Sequence, residues 1–304
     1  MAGNPSVRSE DLSSRMTRVA RAVDDLLDST LPPVVDGAEG RLFEAMRYAT
    51  INGGKRMRPF LVQATAALFD VPESISLRVG VAVELIHGYS LVHDDLPCMD
   101  DDDLRRGKPA CHIAYGESLA VLAGDALLPL AFEIVTDPAT HPDAAIRVAL
   151  VSGLAQAAGA RGMVGGQVLD LAAGDTDMDA GEIARLERLK TGALIAFSCD
   201  AGAILGRADE AERKALAGYA HDLGLAYQMA DDLLDYEGDQ DVVGKAVGKD
   251  AAQGKATFVA AMGADKAREQ ARLLAEQAAA HLDIFGDRGA CLRDVAHFVV
   301  ERGS

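Results

Sequence analysis

At 304 residues, with 47 acidic against 30 basic side chains and a formal net charge of -17, the chain repels nucleic acid and anionic membrane surfaces as principal partners. Its 49% hydrophobic content is enough to bury a sizeable core, in one large domain or two ordinary ones. Cys98, Cys111, Cys199 and Cys291 show no Cys-x-x-Cys spacing, which disfavours a disulfide framework or a zinc site and suits reduced thiols in a cytoplasm.

Along the chain, Met1 to Glu10 lacks the apolar stretch of a secretory signal. Val19, Val23, Leu26 and Leu27 form a helical stripe closed by Pro32-Pro33. Arg41 to Ile51 predicts a second helix stopped at Asn52-Gly53-Gly54, and Pro59 suits the first turn of a third, through Phe69. Further helices are expected over 75–96, 117–135, 143–160, 179–190, 192–206, 209–236, 256–283 and 288–302. Leu119 to Val135, interrupted by Asp125 and Pro129, reads as too short and too polar to span a bilayer. Leu194 to Leu205 is apolar nearly all round, as a central helix or a subunit interface would be. With short links and no repeats, residues 1–304 read as a single all-α domain of about ten helices.

Two aspartate clusters carry candidate chemistry. The first is Asp94-Asp95 through Asp100, in the run His93 to Asp103; Pro97 requires Asp100 to return from a loop. His87, seven residues before Asp94, lies on the same helix face about 10 Å away. The second, Asp231-Asp232-Leu233-Leu234-Asp235, sits in a helical stretch where Asp231 and Asp235 share a face. Like charges at that spacing repel unless a cation lies between them, and hard oxygen ligands suit magnesium completed by phosphate oxygens. The pattern alone does not identify a site: Asp24-Asp25-Leu26-Leu27-Asp28 repeats it on the first helix, where the aspartates are expected to face water.

Basic groups stand beside both clusters. Gly53-Gly54-Lys55-Arg56-Met57-Arg58 sets three cations in a glycine-loosened turn before a helix. Arg105-Arg106-Gly107-Lys108 follows the first acid run; Lys190-Thr191 closes a helix; Lys245, Lys249 and Lys255 follow the second cluster. Read singly, each could be a solvated turn or helix end. Together they explain how so acidic a chain could hold phosphorylated substrates.

The stretch Glu84 to Asp125, GGKRMRP at 53–59, GMVGGQVLDL at 162–171, LKTGAL at 189–194 and YQMADDLLDYEGD at 227–239 resemble the motifs of bacterial-type short-chain trans-prenyl diphosphate synthases. The resemblance implies an all-α isoprenoid synthase bundle, a homodimer, and magnesium, three ions, held by Asp94, Asp95 and Asp100 on one wall and Asp231 and Asp235 on the other, with Asp232 in the same cluster. It implies an allylic diphosphate (dimethylallyl or geranyl) gripped by Arg105, Lys190, Thr191, Gln228, Lys245 and Lys255. Isopentenyl diphosphate would meet Lys55, Arg58, His87 and Arg106, with Gln167 and Asp170 in support. An aromatic residue at Tyr89 resembles the farnesyl-stopping type, although helical spacing alone puts Ser90 nearer the face of Asp94. The expected reaction is head-to-tail condensation to farnesyl diphosphate. The alternatives are a geranyl or geranylgeranyl synthase, a class I terpene cyclase, and a non-catalytic subunit of a heteromeric synthase.

Overall fold

The computed structural model describes residues 11–51, 53–173, 178–237 and 256–301. Helix α1 (Leu12–Thr30) starts where the Asp11 carboxylate accepts from the Ser14 amide at 2.8 Å, and it buries Met16, Val19, Val23 and Leu27. Then come α2 (Ala38–Thr50), α3 (Met57–Ala67) and α4 (Glu73–Asp94). A two-residue hairpin, β1 (Leu104–Arg105) with β2 (Lys108–Pro109), precedes α5 (Cys111–Tyr115) and α6 (Glu117–Thr136).

The second half comprises α7 (Ala144–Ala158), α8 (Met163–Ala173) and α9 (Ala180–Glu187). One π-helical turn (Arg188–Gly192) joins α9 to α10 (Ala193–Leu205), followed by α11 (Glu210–Glu237). The chain closes with α12 (Phe258–Met262), α13 (Ala264–His281), a 3-10 segment (Leu282–Gly289) and α14 (Ala290–Glu301).

The all-α expectation holds, with a main core drawn from Met16 to Val299 and two smaller clusters, one around Ile183, Met229 and Phe258 and one around Leu233, Val259 and Ala267. Helix α10 resolves to a central position: it packs on α3, α7 and α11 and buries Leu194, Ile195, Phe197 and Cys199. Three features depart from the sequence reading. Helix α8 was not among the expected helices, because Gly162, Gly165 and Gly166 suppress its propensity. The 256–283 stretch is two helices, broken at Gly263 with φ 85°. Helix α6 runs unbroken through Pro129, so it and α4 are both long and apolar enough to cross a membrane. That corrects the reading of 119–135 as too short and polar. Both helices belong to the bundle, α4 with 67% and α6 with 39% of the apolar window buried.

Candidate active site

Helix α4 is buried on nearly every side and delivers Asp94 at its last turn. The chain then folds back, so that the Asp100 amide donates to the Asp94 carbonyl at 2.8 Å and the Asp102 amide to the Asp95 carbonyl at 3.2 Å. This turn, with Asp101 at φ 51°, returns Asp100 from a loop as its spacing required. Desolvation, with the neighbouring Asp100 and Asp95 charges adding to it and Lys190 opposing, pushes the Asp94 carboxyl up to about 6. Asp95 is buried, and both of its oxygens accept from Arg105 Nε at 3.0 and 3.2 Å. Arg105 also reaches Asp102. The two residues expected on metal and substrate are therefore engaged with each other.

Lys190 bridges the elements. It lies on the π-helical turn, pairs with Asp170 of α8, and sits in the field of Asp94 and Asp100; these charges outweigh its desolvation and raise its pKa. Turns of this kind recur at functional sites because they re-aim side chains within a helix. Gly166 permits the arrangement: a Cβ there would stand 2.2 Å from the Lys190 amide nitrogen. Gln167, one residue on, is buried with neither end of its amide bonded to protein.

From the same turn, the Thr191 hydroxyl donates to Glu187 Oε2 at 3.0 Å and lies 3.4 Å from Gln228 Oε1. Gln228 Nε2 donates to Asp232 Oδ1 at 2.8 Å, and the Phe258 amide donates to Asp232 Oδ2 at 2.8 Å. Asp232 is thus buried and ties α11 to α12, while Asp231 is exposed and Asp235 half-buried on the same helix. Desolvation and the Asp232 charge push the Glu187 carboxyl up to about 8.

A basic site forms beside the first wall. Arg58 Nη1 stands 3.4 Å from His87 Nε2, and the Arg58 Nε is buried without a protein partner. Arg106, at the tip of the hairpin with φ 54°, packs over the Gly53-Gly54 turn. A Cβ on Gly54 would lie 2.7 Å from an Arg106 guanidinium nitrogen, and the residue's φ of 85° also favours glycine. Desolvation, then the charges of Arg58, Arg106, Arg105 and Arg56, hold the His87 imidazole well below its usual range. Lys55 is exposed in the same turn. Lys245, Lys249 and Lys255 lie outside the described residues.

The chain matches the polyprenyl synthetase family over residues 39–285. It is 44% identical to a farnesyl diphosphate synthase of Escherichia coli over 85% of this chain and 88% of that one. The apo structure of an FPP/GFPP synthase from Zymomonas mobilis superposes with a TM-score of 0.87 at 49% identity, covering 95% of this chain and 98% of that one. A geranyltransferase of Helicobacter pylori complexed with magnesium and isoprenyl diphosphate superposes with a TM-score of 0.83 at 28% identity, covering 99% of this chain and 98% of that one.

The chain belongs to the polyprenyl synthetase family. Its activity is therefore prenyl transfer with chain elongation. Within this polyprenyl synthetase, sequence reasoning missed Glu187 and the Leu104–Pro109 hairpin, and it counted Arg56 among the cations of the Gly53–Arg58 turn without foreseeing its ion pairs with Asp24 and Glu84. The Arg106-Gly107 pair at the hairpin tip, with φ of 54° and 74°, was the available signal for that turn. A further correction concerns Asp24: Asp25 and Asp28 are exposed as expected, Asp28 with a surface pair to Arg47, but Asp24 is partly buried and pairs with Arg56. A cavity of about 490 Å³ beside the π-helical turn is lined by Leu189, Ala193, Phe197 and Leu216 and by none of the acid-motif residues.

Proposed function

We propose that the chain condenses isopentenyl diphosphate with dimethylallyl and then geranyl diphosphate, releasing pyrophosphate and ending at farnesyl diphosphate. The observation that carries this is the pairing of two unlike anion sites. Asp94, Asp100 and Lys190 converge at one, whereas Arg58, His87 and Arg106 gather at the other, where positive charge from four arginines surrounds the His87 ring. A terpene cyclase has one diphosphate to hold and no use for the second site.

The acid walls fit magnesium by donor chemistry. Crowded aspartates with a raised Asp94 carboxyl gain from a hard divalent ion. Among the described residues no three acidic, histidine or cysteine side chains form a metal-ligating group by themselves. Asp94 and Asp100 would hold it on one side and Asp231 and Asp235 on the other, three ions in all. When bound, the metal supplies Lewis-acid charge to the departing diphosphate.

The remaining chemistry falls to the chain's own groups. Lys190, Thr191 and Gln228 orient the allylic diphosphate so that its carbon–oxygen bond breaks toward an allylic cation. Arg105, engaged with Asp95, contributes from the hairpin side. Lys55, Arg58, His87 and Arg106 hold isopentenyl diphosphate, whose double bond attacks that cation. Loss of one proton, with the released pyrophosphate as base, restores the alkene. Apolar walls keep out water, which would otherwise trap the cation as an alcohol. Tyr89, buried with its ring edge on His93, stops growth at fifteen carbons.

The protein acts in the cytoplasm as a homodimer and a single domain over residues 1–304. Support for the dimer is the outward apolar side of α6, where Val121 and Leu122 are exposed. Incubation with dimethylallyl and isopentenyl diphosphates, and with the allylic substrate alone, tests the proposal. Farnesyl diphosphate is expected only from the pair. A hydrocarbon from the allylic substrate alone would indicate a cyclase instead. No product unless a second subunit is supplied would indicate a non-catalytic partner.

A further inference from the structure

Arg56 and Arg58 stand two residues apart in one turn and have opposite surroundings. Arg58 has His87 at 3.4 Å and, among the described residues, no carboxylate partner. Arg56 is saturated: its Nε and Nη2 donate to Asp24 Oδ1 at 3.1 and 2.6 Å, Nη2 also donates to the Thr50 carbonyl at 2.5 Å, and Nη1 donates to Glu84 Oε1 at 2.5 Å. Its side chain is 2% exposed, that of Glu84 5% and that of Asp24 34%. The residue adopts a left-handed conformation, φ 47° and ψ 38°, as the N-cap of α3. A non-glycine residue holds that conformation only when its surroundings fix it.

One guanidinium therefore joins three elements, α1 through Asp24, the end of α2 through Thr50, and α4 through Glu84. Glu84 lies one helical turn before His87. We propose that Arg56 is the positioning residue of the basic site: pinned by Asp24 and Glu84, it fixes the turn that aims Lys55 and Arg58 and sets that turn against the helix carrying His87. This rests on the reading of that site as the isopentenyl diphosphate site. It also gives a use to Asp24 in the first-helix Asp-Asp-x-x-Asp, which anchors an arginine instead of a metal. The two carboxylates offset the charge of Arg56, so that Arg58 and Arg106 are left to face an incoming anion.

The test is steady-state kinetics on Arg56→Met, Arg56→Lys and Asp24→Asn, with KM measured separately for the two substrates. The KM for isopentenyl diphosphate is expected to rise about tenfold or more in Arg56→Met, with the allylic KM within about twofold of wild type. Arg56→Lys should fail to rescue, because an ammonium cannot span two carboxylates and a carbonyl as a planar fork does. Asp24→Asn, a change on α1 at a partly exposed residue, should raise the same KM by a smaller factor and keeps the test alive if Arg56→Met does not fold. Equal changes in both KM values, or an unchanged isopentenyl KM with only a lowered melting temperature, would overturn the proposal. If the wild type condenses nothing, the functional reading has failed rather than this one. Calorimetry with inorganic pyrophosphate in metal-free buffer then decides: about tenfold weaker binding in Arg56→Met supports the positioning role, and unchanged binding refutes it.

Discussion

Replacing Tyr89 by alanine should lengthen the product by one isoprene unit. Tyr89 is buried on α4, its ring meets His93 edge-on at a centroid distance of 5.8 Å, and desolvation and the Asp94 charge raise its hydroxyl pKa. The Asp94 charge acts on the phenol, which places Tyr89 near the first acid cluster, and its ring is proposed as the floor that a growing chain meets. Truncation removes about seven heavy atoms, against about five carbons in an isoprene unit, so the space released admits one further addition. The cost in stability is about 3–5 kcal/mol, as for other buried aromatic-to-alanine changes. Tyr89→Phe keeps the ring and should keep the fifteen-carbon product. Ser90 gives the complementary control: its hydroxyl donates to the His87 carbonyl at 2.9 Å, within its own helix. Ser90→Ala should leave chain length unchanged. The assay is chromatography of the dephosphorylated products against standards of fifteen, twenty and twenty-five carbons. A fifteen-carbon product from a folded Tyr89→Ala enzyme would refute the assignment of Tyr89 as the floor.

Gly166→Ala should push the Lys190 backbone away, because the new Cβ would sit 2.2 Å from its amide nitrogen; kcat is expected to fall about tenfold or more and the melting temperature with it. Glu187 makes a pH prediction for the metal-free protein. Its carboxyl stands at about 8 when folded against 4.5 ordinarily, so the folded state holds a proton that the unfolded chain has lost. Stability should decline as pH rises across that window, and Glu187→Gln should flatten the decline in denaturant titrations. Arg58→Ala removes the guanidinium whose Nε lacks a protein partner; loss of charge-assisted bonds worth about 1.5–3 kcal/mol should raise the isopentenyl diphosphate KM by about ten- to hundredfold.

Much of this architecture was legible because helices announce themselves by period. The Val19, Val23, Leu27 stripe, the all-round apolar α10 and the Pro97 interruption each fixed an element before any coordinates. Helix α8 escaped because Gly162, Gly165 and Gly166 weaken the helical signal, whereas in the fold Gly166 serves the close approach to Lys190. The candidate site was legible as motifs but not as partnerships. Nothing in the sequence says that Arg105 engages Asp95 while Arg106 packs over the Gly53-Gly54 turn, or that Arg56 is tied down by Asp24 and Glu84 while Arg58 stands beside His87, because adjacent residues point differently once a turn takes positive φ. The partners of the repeated Asp-Asp-x-x-Asp on α1, Arg56 for Asp24 and Arg47 for Asp28, are distant in sequence and visible only in the fold.

Pyrophosphate release, followed continuously while magnesium is titrated into metal-free enzyme with both substrates, tests the central claim most directly. Release should be absent in chelator, rise with magnesium, and drop by two orders of magnitude or more, in rough terms, for Asp94→Ala or Asp231→Ala at saturating metal. Undiminished release in chelator, or from a variant lacking both aspartates, would contradict it.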